Sequence, residues 1–143
     1  MKSVKVDLGR CFVFLPEYDS DLLGSVVEAA KEHGIDAAFF MALGALRSAS
    51  IRYYEQDRKE YRSISLNEPL EIISCVGNIG RLKGEIFAHA HAVLADKNGR
   101  AYGGHLADGC RVFACEIMLF ELKGVSLNRE YDETTGLNLF SLR

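Results

Sequence analysis

His89 and His91 stand two residues apart, and His105 follows a Lys97-Asn98-Gly99 segment with turn chemistry. Neutral imidazoles suit zinc or another borderline divalent metal, and three protein ligands leave a fourth position for water, substrate or a carboxylate. On a β-strand, residues two apart share a face. The alternation sets Glu85, Phe87, His89, His91 and Val93 on one face and the small apolar Ile86, Ala88, Ala90, Ala92 and Leu94 on the other.

The turn decides where His105 falls. A three-residue loop with Gly99 in the left-handed region pairs Asp96 with Arg100, and puts His105 opposite His91 on the same face. A two-residue Asn98-Gly99 turn would pair His105 with Ala92 and point it away. The metal expectation therefore requires the three-residue loop. Gly103-Gly104 could carry a bulge that resets the register, and also suits a backbone passing close to a neighbour. The fourth histidine, His33, ends a helical segment, where the dipole favours a cation.

Other reactive residues are less organised. Cys11, Cys75, Cys110 and Cys115 include no C-x-x-C pair, so they read as small buried hydrophobes, with Cys110 alone kept as a remote metal-ligand candidate. Glu85, Asp108 and Glu116 are the carboxylates near the histidines in sequence. Glu85 lies about 13 Å along the strand from His89. Gly77, Gly80 and Gly84 do not form G-x-G-x-x-G and precede no helix, so they read as a flexible or bulged strand connection rather than a phosphate loop. The Gly-x-Ser-x-Gly elbow of serine hydrolases is absent.

The elements around the hairpin are set by periodicity. Lys2–Asp7 and Cys11–Leu15 read as two strands or one bent strand, stopped by Pro16. Leu22, Leu23, Val26, Val27 and Ala30 form one stripe of a helix between Asp19 and His33, capped by Asp19 or Ser20 and closed by Gly34. Strands are expected at Ala37–Leu43, Leu46–Tyr54, Glu60–Leu66, Leu70–Val76, Glu85–Ala95, Ala101–His105 and Arg111–Leu122. The tail carries Leu127, Tyr131, Leu137, Leu139 and Phe140 as packing anchors. With no repeat or linker, residues 1–143 read as a single α+β domain with a central, mainly antiparallel sheet and a few helices.

Length and composition agree. The 143 residues suit one domain, and 48% apolar with 26% charged residues is ordinary for a globular chain. The net charge of −3 argues against a strongly basic nucleic-acid or membrane surface. The richest basic set, Arg47, Arg52, Arg58, Lys59 and Arg62, is offset by Glu55, Asp57 and Glu60. No apolar run reaches the roughly 18 residues of a membrane span, and the N-terminus lacks a signal-peptide core, so a cytoplasmic protein without membrane contact is expected.

The chain also resembles the PPC (plants and prokaryotes conserved, PD1-like) domain family. The resemblance is carried by Gly84, His89-Ala-His91-Ala-Val-Leu, Asn98-Gly99, Gly103-Gly104-His105-Leu106 and the acidic Glu116. Further similarity runs through the helix ending at Gly34, Gly44-Ala45-Leu46, Glu71 to Gly77, and the tail from Arg129 to Leu137. It implies a compact domain assembled as a homotrimer, with a metal ion, usually zinc, on His89, His91 and His105. The family is often described as DNA-binding, but the Arg-Gly-Arg-Pro hook of plant members is absent here. Three readings stand: a small trimeric metal-binding protein with a protein partner or small ligand, a DNA-associated regulatory protein, and a metal-dependent hydrolase. Whether the chain is an enzyme, and which residues would be catalytic, stays open at this level.

Overall fold

A computed structural model describes residues 1–142. The strands, in chain order, are β1 (Asp7–Phe14), β2 (Ala38–Glu55), β3 (Glu60–Leu66), β4 (Leu70–Leu82) and β5 (Glu85–Ala95), then β6 (Ala101–Leu106), β7 (Arg111–Lys123), β8 (Asn128–Asp132) and β9 (Leu137–Phe140). One helix, α1 (Leu22–Glu32), lies between β1 and β2. The expectation of a few helices is thus corrected to one among the described residues. All nine strands join one sheet, antiparallel except where β8 runs parallel to β4.

The long β2 organises the sheet. Its first half pairs with β4 and β7, and its second half pairs with β3 and, at Ile51 and Arg52, with β6. Since β4 pairs with β5 and β5 with β6, strands β2, β4, β5 and β6 close on one another. The expected break at Gly44-Ala45 is a register shift within one strand, not an end. Gly9-Arg10 is likewise an irregularity inside β1. The stretch 77–82, expected as a loose connection, is regular strand paired to β5. Its glycines leave room for the Phe40 ring at Gly77 and for Leu127 at Gly80.

The N-cap of α1 lies one residue beyond Ser20 and two beyond Asp19, its expected caps. Asp21 is the N-cap, its Oδ1 accepting from the Gly24 N–H at 2.9 Å and its Oδ2 from the Gly109 N–H at 2.7 Å. Asp19 is instead in the left-handed region and ion-paired to Arg47. The helix buries Leu22, Leu23, Val26 and Ala30 against the inner sheet face and packs over β5, where the small Ala88, Ala90 and Ala92 allow a close approach. Phe40, Ile51, Ile79, Leu94, Ile117 and Leu119 complete the core.

Candidate metal centre

The β5–β6 hairpin has the register the metal expectation requires. His91 pairs with His105, and Ala95 with Ala101. Gly99 sits at φ 75°, the glycine position of a three-residue loop. Asp96 holds the loop: its Oδ1 accepts from the N–H groups of Asn98 at 2.8 Å and Arg100 at 3.0 Å, and the Tyr102 hydroxyl donates to Oδ2 at 3.3 Å. The backbone N–H of Arg100, first among these contacts, lowers the Asp96 pKa. Gly103-Gly104 carries no bulge. At Gly104 a Cβ would lie 2.9 Å from the Arg52 carbonyl oxygen, so β2 and β6 meet through the missing side chain.

Three imidazoles converge as a result. Ring centroids are 5.1 Å apart for His89 and His91, 4.8 Å for His89 and His105, and 5.4 Å for His91 and His105. One ligating atom from each lies within 4.8 Å of the other two. His89 and His105 are half-buried, and His91 is exposed. Burial, then the neighbouring His105, pushes the His89 pKa down to about 4. Burial, then His91 and Arg52, does the same to His105. Both rings are therefore neutral at neutral pH, with a lone pair to give.

The surrounding cavity, about 670 Å³, is lined by Tyr54, Tyr61, Phe87, Leu137 and Leu139, and by Arg52 and Arg129. The Tyr61 ring lies 5.1 Å from His105. Arg129 Nη2 donates to Asn78 Oδ1 at 2.7 Å and lies 3.5 Å from His89 Nδ1, while Nη1 donates to the Asn138 carbonyl at 3.0 Å. The guanidinium lies over the Phe140 ring at 4.2 Å. Among the described residues, two buried side-chain polar atoms have no partner, His105 Nδ1 and Arg129 Nε, and both belong to this cavity. An unpartnered imidazole nitrogen in a cluster of neutral imidazoles is a donor set that fits a divalent metal.

The other sequence candidates lie elsewhere. His33 caps α1 and stacks on Phe12 at 4.2 Å. Glu85, Asp108 and Glu116 are exposed and do not line the cavity. Cys110 is buried, and its thiol donates to the Ala107 and Ser50 carbonyls at 3.3 and 3.4 Å. Burial pushes its pKa up to about 11, which leaves it a protonated core residue away from the histidine group. Cys75 and Cys115 are buried as expected, whereas Cys11 is exposed. In the basic set, Arg47 pairs with Asp19, Arg58 with Glu55 and Glu60, and the Lys59 ammonium donates to the Glu133 carbonyl. In the sequence Arg129 is visible only as part of the C-terminal pattern. Its place depends on the parallel pairing of β8 with β4, which no local pattern announces.

A family profile described as the Plants and Prokaryotes Conserved (PCC) domain matches residues 4–123. The chain belongs to this family. It is similar to the metal-containing protein AF0104 from Archaeoglobus fulgidus, with 42% identity, coverage of 99% of each chain and a TM-score of 0.94. It is also similar to the plant- and prokaryote-conserved protein of Pyrococcus horikoshii, at 36% identity, covering 99% of this chain and 97% of that one, with a TM-score of 0.92. A region of the bifunctional protein GlmU of Synechococcus sp. (strain JA-3-3Ab) is 31% identical over 118 residues, 81% of this chain. The chain spans only 17–18% of the length of the curated relatives it matches.

Proposed function

We propose that this PCC-family chain is a metalloprotein that holds one divalent ion, zinc, on His89, His91 and His105, and that it works as a homotrimer in the cytoplasm. The observation that carries the reading is the unpartnered, buried Nδ1 of His105 within a group of three converging imidazoles. The similar Archaeoglobus fulgidus protein is metal-containing, which supports the reading. A zinc ion bound there would supply Lewis acidity at a position open to a small ligand.

The cavity wall restricts the chemistry available at such an ion. No carboxylate lines the cavity among the described residues, so the site offers no side-chain base of that kind for hydrolysis. Metal and ligand binding is the better reading than turnover, and a cavity of about 670 Å³ has the size of a small-ligand site. Four cysteines without a disulfide suit a reducing compartment, and among the described residues no helix is long and apolar enough to cross a membrane. Trimer formation rests on the family resemblance. The exposed Phe39, Met41, Leu43 and Val76 offer apolar surface for it.

Chelation tests the metal. Treatment with a strong chelator should lower the melting temperature, and added zinc should restore it. A His89→Ala protein should respond to neither. An unchanged melting curve in the wild type would contradict the reading.

A further inference from the structure

Arg52 has a place that neither the fold nor the metal explains. It pairs across strands with His105, and His105 pairs with His91, so the three side chains form one row on one sheet face. Directly opposed residues on a sheet have Cβ atoms about 4.5–5.5 Å apart. Arg47 and Arg58 have ion-pair partners, but Arg52 has none among the described residues. It is also half-buried and lines the histidine cavity. Arg129 lies on the opposite side of the cluster, at His89, with its Nε buried and unpartnered.

Charge points the same way. Among the described residues, the cavity wall has two guanidinium groups and no acidic side chain. A divalent ion held by three neutral imidazoles adds further positive charge. A concave, partly desolvated site with this balance needs an anion, and its interaction with an unpaired arginine is stronger there than in open water. Tyr54, Tyr61, Phe87, Leu137 and Leu139 present flat or apolar surface beyond the charged row, which suits an organic body and not a bare inorganic ion.

We propose that the histidine cavity is a recognition site for a small organic oxyanion, a carboxylate or a phosphate ester, whose charged head is held beside the metal position by Arg52 and whose apolar body lies against the tyrosines. This deepens the metal reading and rests on it. Arg52 is the contact residue, because its guanidinium has no ion-pair or hydrogen-bond partner among the described residues. Arg129, already committed to Asn78 and Asn138, bounds the other side.

Cobalt(II) loading provides the test, since the visible absorption of the bound ion reports its ligands without any turnover. Loaded wild-type protein is titrated with benzoate, phenyl phosphate and the uncharged benzamide. We expect a saturable spectral change with benzoate or phenyl phosphate, whichever matches the head group, and none with benzamide. In Arg52→Gln, with an unchanged melting temperature, the affinity should fall about tenfold, and Arg52→Lys should recover part of it. A cobalt spectrum that depends on His91 but responds to neither anion would overturn the oxyanion site and leave the metal centre standing. Equal anion affinity in Arg52→Gln would do the same. Failure of the wild type to take up cobalt would overturn the metal reading, and the oxyanion site with it.

Discussion

At residue scale, His89 and His105 stay neutral because partial burial disfavours the charged ring and neighbouring cationic groups add to the effect. Their pKa values near 4 lie below the ordinary 6.5. Between those limits the unfolded chain binds more protons than the folded one. Stability of the metal-free protein is therefore complete above about pH 6.5 and falls as the pH drops toward 4. With allowance for partial exposure, the loss is on the order of 2 kcal/mol. Urea unfolding of chelated protein at several pH values measures it, and a flat profile would contradict the burial argument. These histidines are legible in the sequence because a two-residue period and a turn glycine are local signals. Arg52 is visible there only as one cation of a hairpin, and Arg129 only as part of a tail. What gives them meaning is cross-strand register, set by pairings between distant parts of the chain.

At element scale, the hairpin works because two constraints agree. Asp96 and Gly99 fix the loop, and Gly104 lets β6 lie against β2. The two adjacent glycines should then behave differently. A Cβ at Gly104 would press on the Arg52 carbonyl at 2.9 Å, whereas at Gly103 the nearest atom is 3.6 Å away. Gly104→Ala should cost about 1–3 kcal/mol and weaken metal binding, while Gly103→Ala should stay within about 0.5 kcal/mol. Denaturant unfolding and zinc titration of both variants check this, and equal effects would contradict it. Strand boundaries such as Glu60–Leu66 and Glu85–Ala95 are readable from alternation and flanking turns. The continuation of β4 to Leu82 is not, because glycines at 77 and 80 look like a loop until the Phe40 ring and Leu127 fill their space. The helix cap lies at Asp21 rather than Asp19 or Ser20 for a similar reason: Asp21 also receives the Gly109 N–H from a distant loop.

At the scale of the whole molecule, the outer sheet face joins the histidine row to apolar surface. Met41 pairs with Val76, and Val76 with His91, so exposed apolar residues run directly into the site. In the proposed homotrimer this surface is covered, and light scattering should give a mass about three times the 15.9 kDa of one chain. Met41→Asp should shift the mass toward the monomer, and a monomeric wild type would contradict the assembly. The net charge of −3 and the ion pairs that occupy Arg47 and Arg58 argue against a DNA surface. Duplex DNA should not be retained even at low salt, and steeply salt-dependent binding would overturn that argument. The central claim is the metal, and metal content per chain tests it most directly, in wild-type and His91→Ala protein purified without added metal. The account predicts about one zinc per wild-type chain and almost none in the variant. Wild-type protein free of metal, and as stable as His91→Ala, would make the three histidines ordinary sheet residues.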